Sequence, residues 1–172
     1  MEDQGVSAVI DIGTNTFNLL IANRSKNGLN VIESHKVAVS LGMGGINEGV
    51  LADDAIQRAL DAFEKFRGIL LNYPVVQPIL IATSAVRDAK NATEFTAAIF
   101  DRFAWSVTVV SGMKEAELIY KGVGLCYDFK EHTLIMDIGG GSTEFIEANN
   151  EGICSEVSLN IGVSRLYQGF SV

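Results

Sequence analysis

Val9-Ile10-Asp11-Ile12-Gly13-Thr14-Asn15-Thr16 returns without a gap as Ile135-Met136-Asp137-Ile138-Gly139-Gly140-Gly141-Ser142, each position 126 beyond its counterpart. Both copies read apolar, apolar, Asp, Ile, Gly, then small or polar residues, then a hydroxyl. A second apolar run follows each, Phe17 to Ala22 and Thr143 to Ala148. Self-similarity at a fixed offset is the mark of a repeated structural unit. An apolar run ending on Asp-Ile-Gly predicts a buried strand that delivers an aspartate to its end. Gly13 and Gly139 put no Cβ in the way of the turn that follows. The next residues present backbone N–H groups and the hydroxyls of Thr14, Thr16, Ser142 and Thr143, a concavity suited to phosphate oxygens. The aspartates repel phosphate, yet each can hold Mg²⁺ through its waters, and the ion then bridges carboxylate to phosphate. Either motif alone is weak, because glycine turns between apolar runs are common. The pair favours two facing phosphate loops over two unrelated hairpins.

Outward from the loops, the pattern predicts strands over 6–12 and 17–22, with an edge-like strand over 29–41 that ends at the glycine-rich Gly42-Met43-Gly44-Gly45. Asp53 reads as a helix N-cap with Leu51 as its staple, followed by one apolar face of Ile56, Ala59, Leu60, Phe63, Phe66 and Leu70. Asn72-Tyr73-Pro74 ends that helix, and Pro78 limits the next strand to pairing from Ile79 onward. Asn91-Ala92-Thr93-Glu94 has capping-box spacing for a helix over 92–103. A strand over 105–110 follows, then a helix over 113–126 capped by Ser111-Gly112. Strands over 133–137, 143–148 and 153–159 and a short helix over 163–169 complete the chain. The order is β-β-β-α-β-α-β-α, then β-β-β-α, so the second block repeats the opening of the first. The break falls near 128–131.

Composition removes several function classes. The chain has 172 residues, 48% of them apolar, which excludes wholesale disorder. No run approaches the ~20 apolar residues of a membrane span, and Met1-Glu2-Asp3-Gln4 is no secretory leader. A formal charge of −8 argues against general nucleic-acid binding. Cys126 and Cys154, with His35 and His132 as the only histidines, form no metal or disulfide framework. Both cysteines read as buried small hydrophobes in a reducing, cytoplasmic compartment.

The two loops resemble the phosphate motifs of the actin-like ATPase superfamily. More narrowly, the chain resembles the exopolyphosphatase / guanosine pentaphosphate phosphatase (Ppx/GppA) family. Four segments carry this: the first loop with Phe17-Asn18, then Ala82-Thr83-Ser84-Ala85-Val86-Arg87-Asp88-Ala89, then Val110-Ser111-Gly112-Met113-Lys114-Glu115-Ala116-Glu117, and the second loop through Thr143-Glu144. The resemblance implies an α/β fold, with a ribonuclease H-like actin-type ATPase domain (βββαβαβα) at 1–128. The truncated start (βββα) of a second, similar domain would occupy 129–172. The chain would then be a piece of a larger two-domain protein, its last 44 residues exposing apolar strand faces.

The implied reaction is hydrolysis of a terminal phosphoanhydride in inorganic polyphosphate or guanosine penta/tetraphosphate. Glu115 matches the position that activates the attacking water, and a first-turn site beside the helix dipole favours its ionised form. On its own residues Glu115 reads equally well as a solvated cap glutamate. Arg87 is the cationic phosphate contact, or else pairs with Asp88 or Glu94. Gly13, Thr14, Asn15, Thr16, Gly139, Gly140, Gly141, Ser142 and Thr143 form the phosphate cradle. Asp137, then Asp11, then Glu144 are the metal candidates, for Mg²⁺ or Mn²⁺, with K⁺ as a further cation. The implied assembly is a homodimer without nucleic acid or membrane. Lys114 stands where many relatives carry a second acid, and it is open to contact with phosphate. The charge balance opposes an anionic substrate: 11 basic and 15 acidic residues in 1–128, 2 and 6 in 129–172. Metal and aimed N–H groups must therefore supply the local attraction. Two alternatives share the loops: an ATP-dependent small-metabolite kinase, and a non-catalytic nucleotide or polyphosphate sensor.

Overall fold

The structure, a computed structural model, describes residues 5–25, 28–75 and 77–170. The segment 1–4 read above for a leader, and the terminal Ser171-Val172, lie outside the described residues.

β1 (Ser7–Ile12) is the spine of a five-stranded sheet. It pairs antiparallel with β2 (Thr16–Ser25) and parallel with β4 (Ile79–Ala82). β3 (Gly28–Ala38) closes one edge and β5 (Val107–Val109) the other, giving the order β3-β2-β1-β4-β5. Alternation along β1 sends Ala8, Ile10 and Ile12 into the core and leaves Val9 and Asp11 on the opposite face. The core face is covered by α1 (Asp53–Leu70) and α3 (Ala92–Phe103). Phe63 stands at its centre, 5.2 Å from Phe17 and 6.3 Å from Trp105 between ring centroids. Burying each such aromatic contributes roughly 1.5–3 kcal/mol.

A second sheet of β6 (Thr133–Ile138), β7 (Thr143–Asn149) and β8 (Gly152–Leu159) is followed by α5 (Val163–Phe170). α4 (Gly112–Val123) packs against β7 and β8, tying the sheets together. The repeat is visible in atomic detail. Ile12 opposes Phe17 as Ile138 opposes Thr143, and the register shifts at Ile21/Ala22 and again at Glu147/Ala148. Those shifts lie at equivalent positions of the β2–β3 and β7–β8 pairs, so the two three-stranded units share an irregularity of register as well as their first turn. The burial differs. Ala8, Ile10 and Ile12 are at most 1% exposed, while their counterparts Leu134, Met136 and Ile138 are 67%, 55% and 57% exposed. The apolar face expected over 129–172 is therefore uncovered.

The α/β class and the element order follow the expectation, a five-stranded sheet with its helices followed by a three-stranded sheet and one helix. Five local expectations are corrected. Asp53 is the first helical residue rather than the cap; Ala52 holds that position without a side-chain bond. The Asn91 side chain spans Leu51, donating to its carbonyl and accepting from its N–H at 2.9 Å each, instead of capping α3. α2 (Ser84–Arg87) is one unforeseen turn. α4 ends at Val123, and Gly124 to Cys126 form a turn. Cys126 and Cys154 are exposed and free, because the turn after α4 and the outer side of β8 lack the cover given to the first sheet. No helix among the described residues is long and apolar enough to cross a membrane.

Candidate active site

The two hairpin loops close in the same way. Gly13 N–H donates to Thr16 O at 3.2 Å and Gly139 N–H to Ser142 O at 2.9 Å. A Cβ on either glycine would stand 2.8 or 3.0 Å from that same carbonyl, so the turn is too tight for a side chain. Gly140 and Gly141 serve a different purpose. A Cβ at Gly140 would lie 2.8 Å from Thr14 Cβ, and one at Gly141 would lie 2.4 Å from Ser84 Oγ. The glycine run lets the second loop rest directly on the first. Thr14 and Ser84 share a buried hydroxyl hydrogen bond of 3.1 Å beneath that contact.

α5 fastens the loops further. Ser164 Oγ donates to Asn15 Oδ1 at 2.5 Å. Arg165 Nε donates to Gly141 O at 2.7 Å, its Nη1 to Ile46 O at 3.0 Å, and its Nη2 pairs with Asp88. Gln168 bonds Gly42 O and accepts from Gly44 N–H. One short helix thereby holds three segments of the first unit against the second loop.

Between the loops lies a cleft of about 490 Å³. Asp11, Asn15 and Thr16 line it from the first loop, and Asp137, Gly140 and Ser142 from the second. Glu115 enters from α4 and Lys36 from β3. Asp11 accepts from Asn18 Nδ2 at 3.0 Å. Its pKa is pushed above the ordinary carboxylate value, chiefly by burial; the Asn18 bond opposes this and the charge of Asp137 adds to it. Two aspartates that feel each other across a phosphate-sized cleft present a local excess of negative charge, which a divalent cation relieves. Among the described residues no three His, Cys, Asp or Glu groups form a metal cage. The donor set instead fits a hard cation such as Mg²⁺, held by one or two carboxylates with water and phosphate oxygens completing its shell.

Glu115 stands in the first turn of α4 because Ser111 caps that helix, accepting from Lys114 N–H at 3.2 Å. Arg87 Nη1 donates to Glu115 Oε2 at 2.8 Å, and its Nε lies 3.6 Å from Asp88. The Glu115 side chain is only 16% exposed, and a second hollow, which also touches Asp11, Thr83 and Asp137, brings Val9, Ile81, Val110, Leu118 and Ile119 beside it. Burial accordingly pushes the Glu115 pKa up; the Arg87 hydrogen bond opposes this, while the charges of Glu144 and Asp11 add to it. The helix dipole expected to favour its ionised form is opposed here by this burial.

The remaining candidates divide. Gly13, Thr14 and Gly139 also line the cleft, whereas Gly141 and Thr143 do not. Gly141 is packed on Ser84, and the Thr143 hydroxyl donates to Ile161 O. Glu144 is fully buried opposite Asp137 and accepts from Ser158 Oγ at 2.6 Å. Arg87 is held by Glu115, Asp88 and Val110 O rather than lining the cleft. Lys114 pairs with Glu117 at 2.6 Å. Sequence reasoning missed Lys36, Ser84 and Arg165. The register of β3 on β2 identifies Lys36, but a lysine on an edge strand carries no motif. Ser84 lies within a recognised segment, and Arg165 acts through folding contacts that no local pattern encodes.

Known proteins resemble the chain along most of its length. A profile described as the Ppx/GppA phosphatase family matches residues 20–171. The chain is 39% identical over 172 residues to a bifunctional 3-dehydroquinate synthase/phosphatase of Fusobacterium nucleatum, covering 95% of this chain and 26% of that protein. It is 37% identical over 159 residues to a guanosine-5'-triphosphate,3'-diphosphate pyrophosphatase of Pseudoalteromonas translucida, covering 92% and 32%. The crystal structure of an exopolyphosphatase from Cytophaga hutchinsonii superposes with a TM-score of 0.93 at 42% identity, covering 97% of this chain and 54% of that one. The chain thus spans about a quarter to a third of these two curated relatives and about half of the solved structure.

Proposed function

Since the chain belongs to the Ppx/GppA phosphatase family, we propose that the protein it represents hydrolyses terminal phosphoanhydride bonds. The substrate would be inorganic polyphosphate or the 5′-phosphate of guanosine pentaphosphate, with water as the nucleophile and Glu115 as its base. The observation that carries this reading is the meeting of both Asp-Ile-Gly loops and Glu115 in one cleft. In this reading residues 1–128 form one lobe and 129–172 open the second.

Glu115 would orient a water and take its proton. A carboxylate with a raised pKa is the stronger base, and general-base help of this kind contributes roughly 10²–10⁴-fold. The buried Glu144 acts through its charge, which favours a proton on Glu115. The cradle residues Asn15, Thr16, Gly140 and Ser142 would hold the terminal phosphate by N–H and hydroxyl donors, while Gly13, whose own N–H is taken by Thr16 O, would shape the first turn. Asp11 and Asp137 would hold Mg²⁺ or Mn²⁺, which when bound neutralises phosphate oxygens that the acidic cleft otherwise repels.

The test is Glu115→Gln in the full-length protein. Phosphate release from polyphosphate and from guanosine pentaphosphate should fall about 10²–10⁴-fold while either ligand still binds. Unchanged turnover removes Glu115 from the mechanism. Turnover of ATP that requires a metabolite acceptor would mark a kinase instead.

A further inference from the structure

Lys36 is the single cation among the described residues that line the cleft; the other charged groups there are Asp11, Glu115 and Asp137. It belongs to the edge strand β3 and is directly opposite Asn18 of β2, which is directly opposite Asp11 of β1. Residues so paired share one face of a sheet. The bond from Asn18 Nδ2 to Asp11 Oδ2 shows the row in register. The Lys36 side chain is exposed and its ammonium makes no hydrogen bond or ion pair with any described residue.

The row has a direction. Strand spacing of 4.7–4.9 Å sets the Lys36 backbone roughly 10 Å to one side of Asp11. On the other side of Asp11 come Ile81 of β4 and Thr108 of β5, and α4 with Glu115 follows β5 in the chain. Lys36 and Glu115 therefore approach the cleft from opposite ends. In phosphoryl transfer the attacking and leaving oxygens lie roughly in line through phosphorus. A nucleophile activated at the Glu115 end sends the leaving group toward the Lys36 end.

We propose that Lys36 binds the leaving part of the substrate, the phosphates beyond the bond that breaks. This rests on the phosphoanhydride reading above and assigns the far end of the same site. Attack joins the water oxygen to the terminal phosphorus and breaks that phosphorus's bond to the bridging oxygen. The bonding pair stays on the bridging oxygen, and the water's proton passes to Glu115. Charge grows on the shortened phosphate chain at this moment, and an unpartnered ammonium is well placed to meet it. A lysine suits the task, being a compact point charge on a flexible stem. It grips any anionic phosphate without demanding one geometry.

The experiment separates the two ends of the site in the full-length protein. In a Glu115→Gln background, Lys36→Ala should weaken tripolyphosphate binding about tenfold or more, the loss of one charge-assisted contact. Orthophosphate, which needs only the loops, should bind unchanged. In the active protein Lys36→Ala should lower kcat/KM on polyphosphate, and Lys36→Arg should restore most of it, with the thermal midpoint unmoved. Unchanged tripolyphosphate binding, or equal weakening of both ligands, overturns the assignment of Lys36. Failure of the unsubstituted protein to release phosphate from either substrate would overturn the hydrolase reading instead, so the two failures are distinguishable.

Discussion

Arg87 and Glu115 form a half-buried ion pair of 2.8 Å, their side chains 18% and 16% exposed. The arginine that the sequence offered as a phosphate contact is thus engaged by the group proposed to activate water. A substrate phosphate that draws Arg87 away also removes the hydrogen bond that lowers the Glu115 pKa.

The sign of the resulting pH effect is fixed. The base works when ionised, so activity falls as pH drops through the Glu115 pKa, which burial places above the ordinary carboxylate value. The acid limb of kcat/KM reports the free enzyme and that of kcat the substrate complex. The limb of kcat should lie at higher pH than the limb of kcat/KM. Arg87→Met should raise the kcat/KM limb and abolish the difference between the two. Coincident limbs in the unsubstituted protein would separate Arg87 from the phosphate.

Asp11 is a second group whose charge is disfavoured where it stands, because burial raises its pKa. Its folded-state pKa exceeds its unfolded one, so the folded state binds more protons between the two values. Stability therefore falls as pH rises through that window and the deficit persists above it. Asp11→Asn should raise the thermal midpoint at neutral pH, with the gain vanishing in acid, while metal-dependent turnover is lost. A lower midpoint at neutral pH would show that the carboxylate stabilises the fold.

The repeat was readable because it is written in backbone requirements. Asp-Ile-Gly ends a strand at both places, and the turns demand glycine for reasons a sequence displays. The contrast between α1 and α4 shows where reading stopped. The apolar face of α1 is one long period and Ser111 announces the cap of α4, whereas the need for Gly112, where a Cβ would stand 2.5 Å from Ser158 Cβ, arises only once β8 lies against the helix. Lys36 illustrates the same limit. It reaches the cleft only through its register with Asn18, a pairing between strands that neither segment specifies alone. Cys154 was misread because burial was inferred from residue type, while β8 offers no second layer at that position.

Ser111 offers a test of how firmly Glu115 must be held. Its side chain accepts from Lys114 N–H and starts the helix one turn before Glu115 ends its own first turn. Ser111→Ala should cost about 1 kcal/mol of stability and lower kcat more than it raises KM. Ser111→Thr, which keeps the cap oxygen, should retain both. Loss of stability without any loss of kcat would mean that the α4 terminus does not position the glutamate.

The contact between the loops can be pried open with one methyl group. At Gly141 an added Cβ meets Ser84 Oγ at 2.4 Å and Thr14 Oγ1 at 2.9 Å, and both neighbours are buried and bonded to each other. Neither has room to withdraw, so Gly141→Ala should cost about 1–3 kcal/mol, as overpacking does, and should widen the cleft and lower turnover. Gly68 provides the matched control. It lies on the exposed side of α1 with nothing within 4 Å of its would-be Cβ. Gly68→Ala should stabilise by roughly 0.5–1 kcal/mol through helix propensity and leave turnover alone. Denaturant midpoints of the two variants should move in opposite directions. A Gly141→Ala protein as stable and active as the parent would mean that the second loop does not rest on Thr14 in solution.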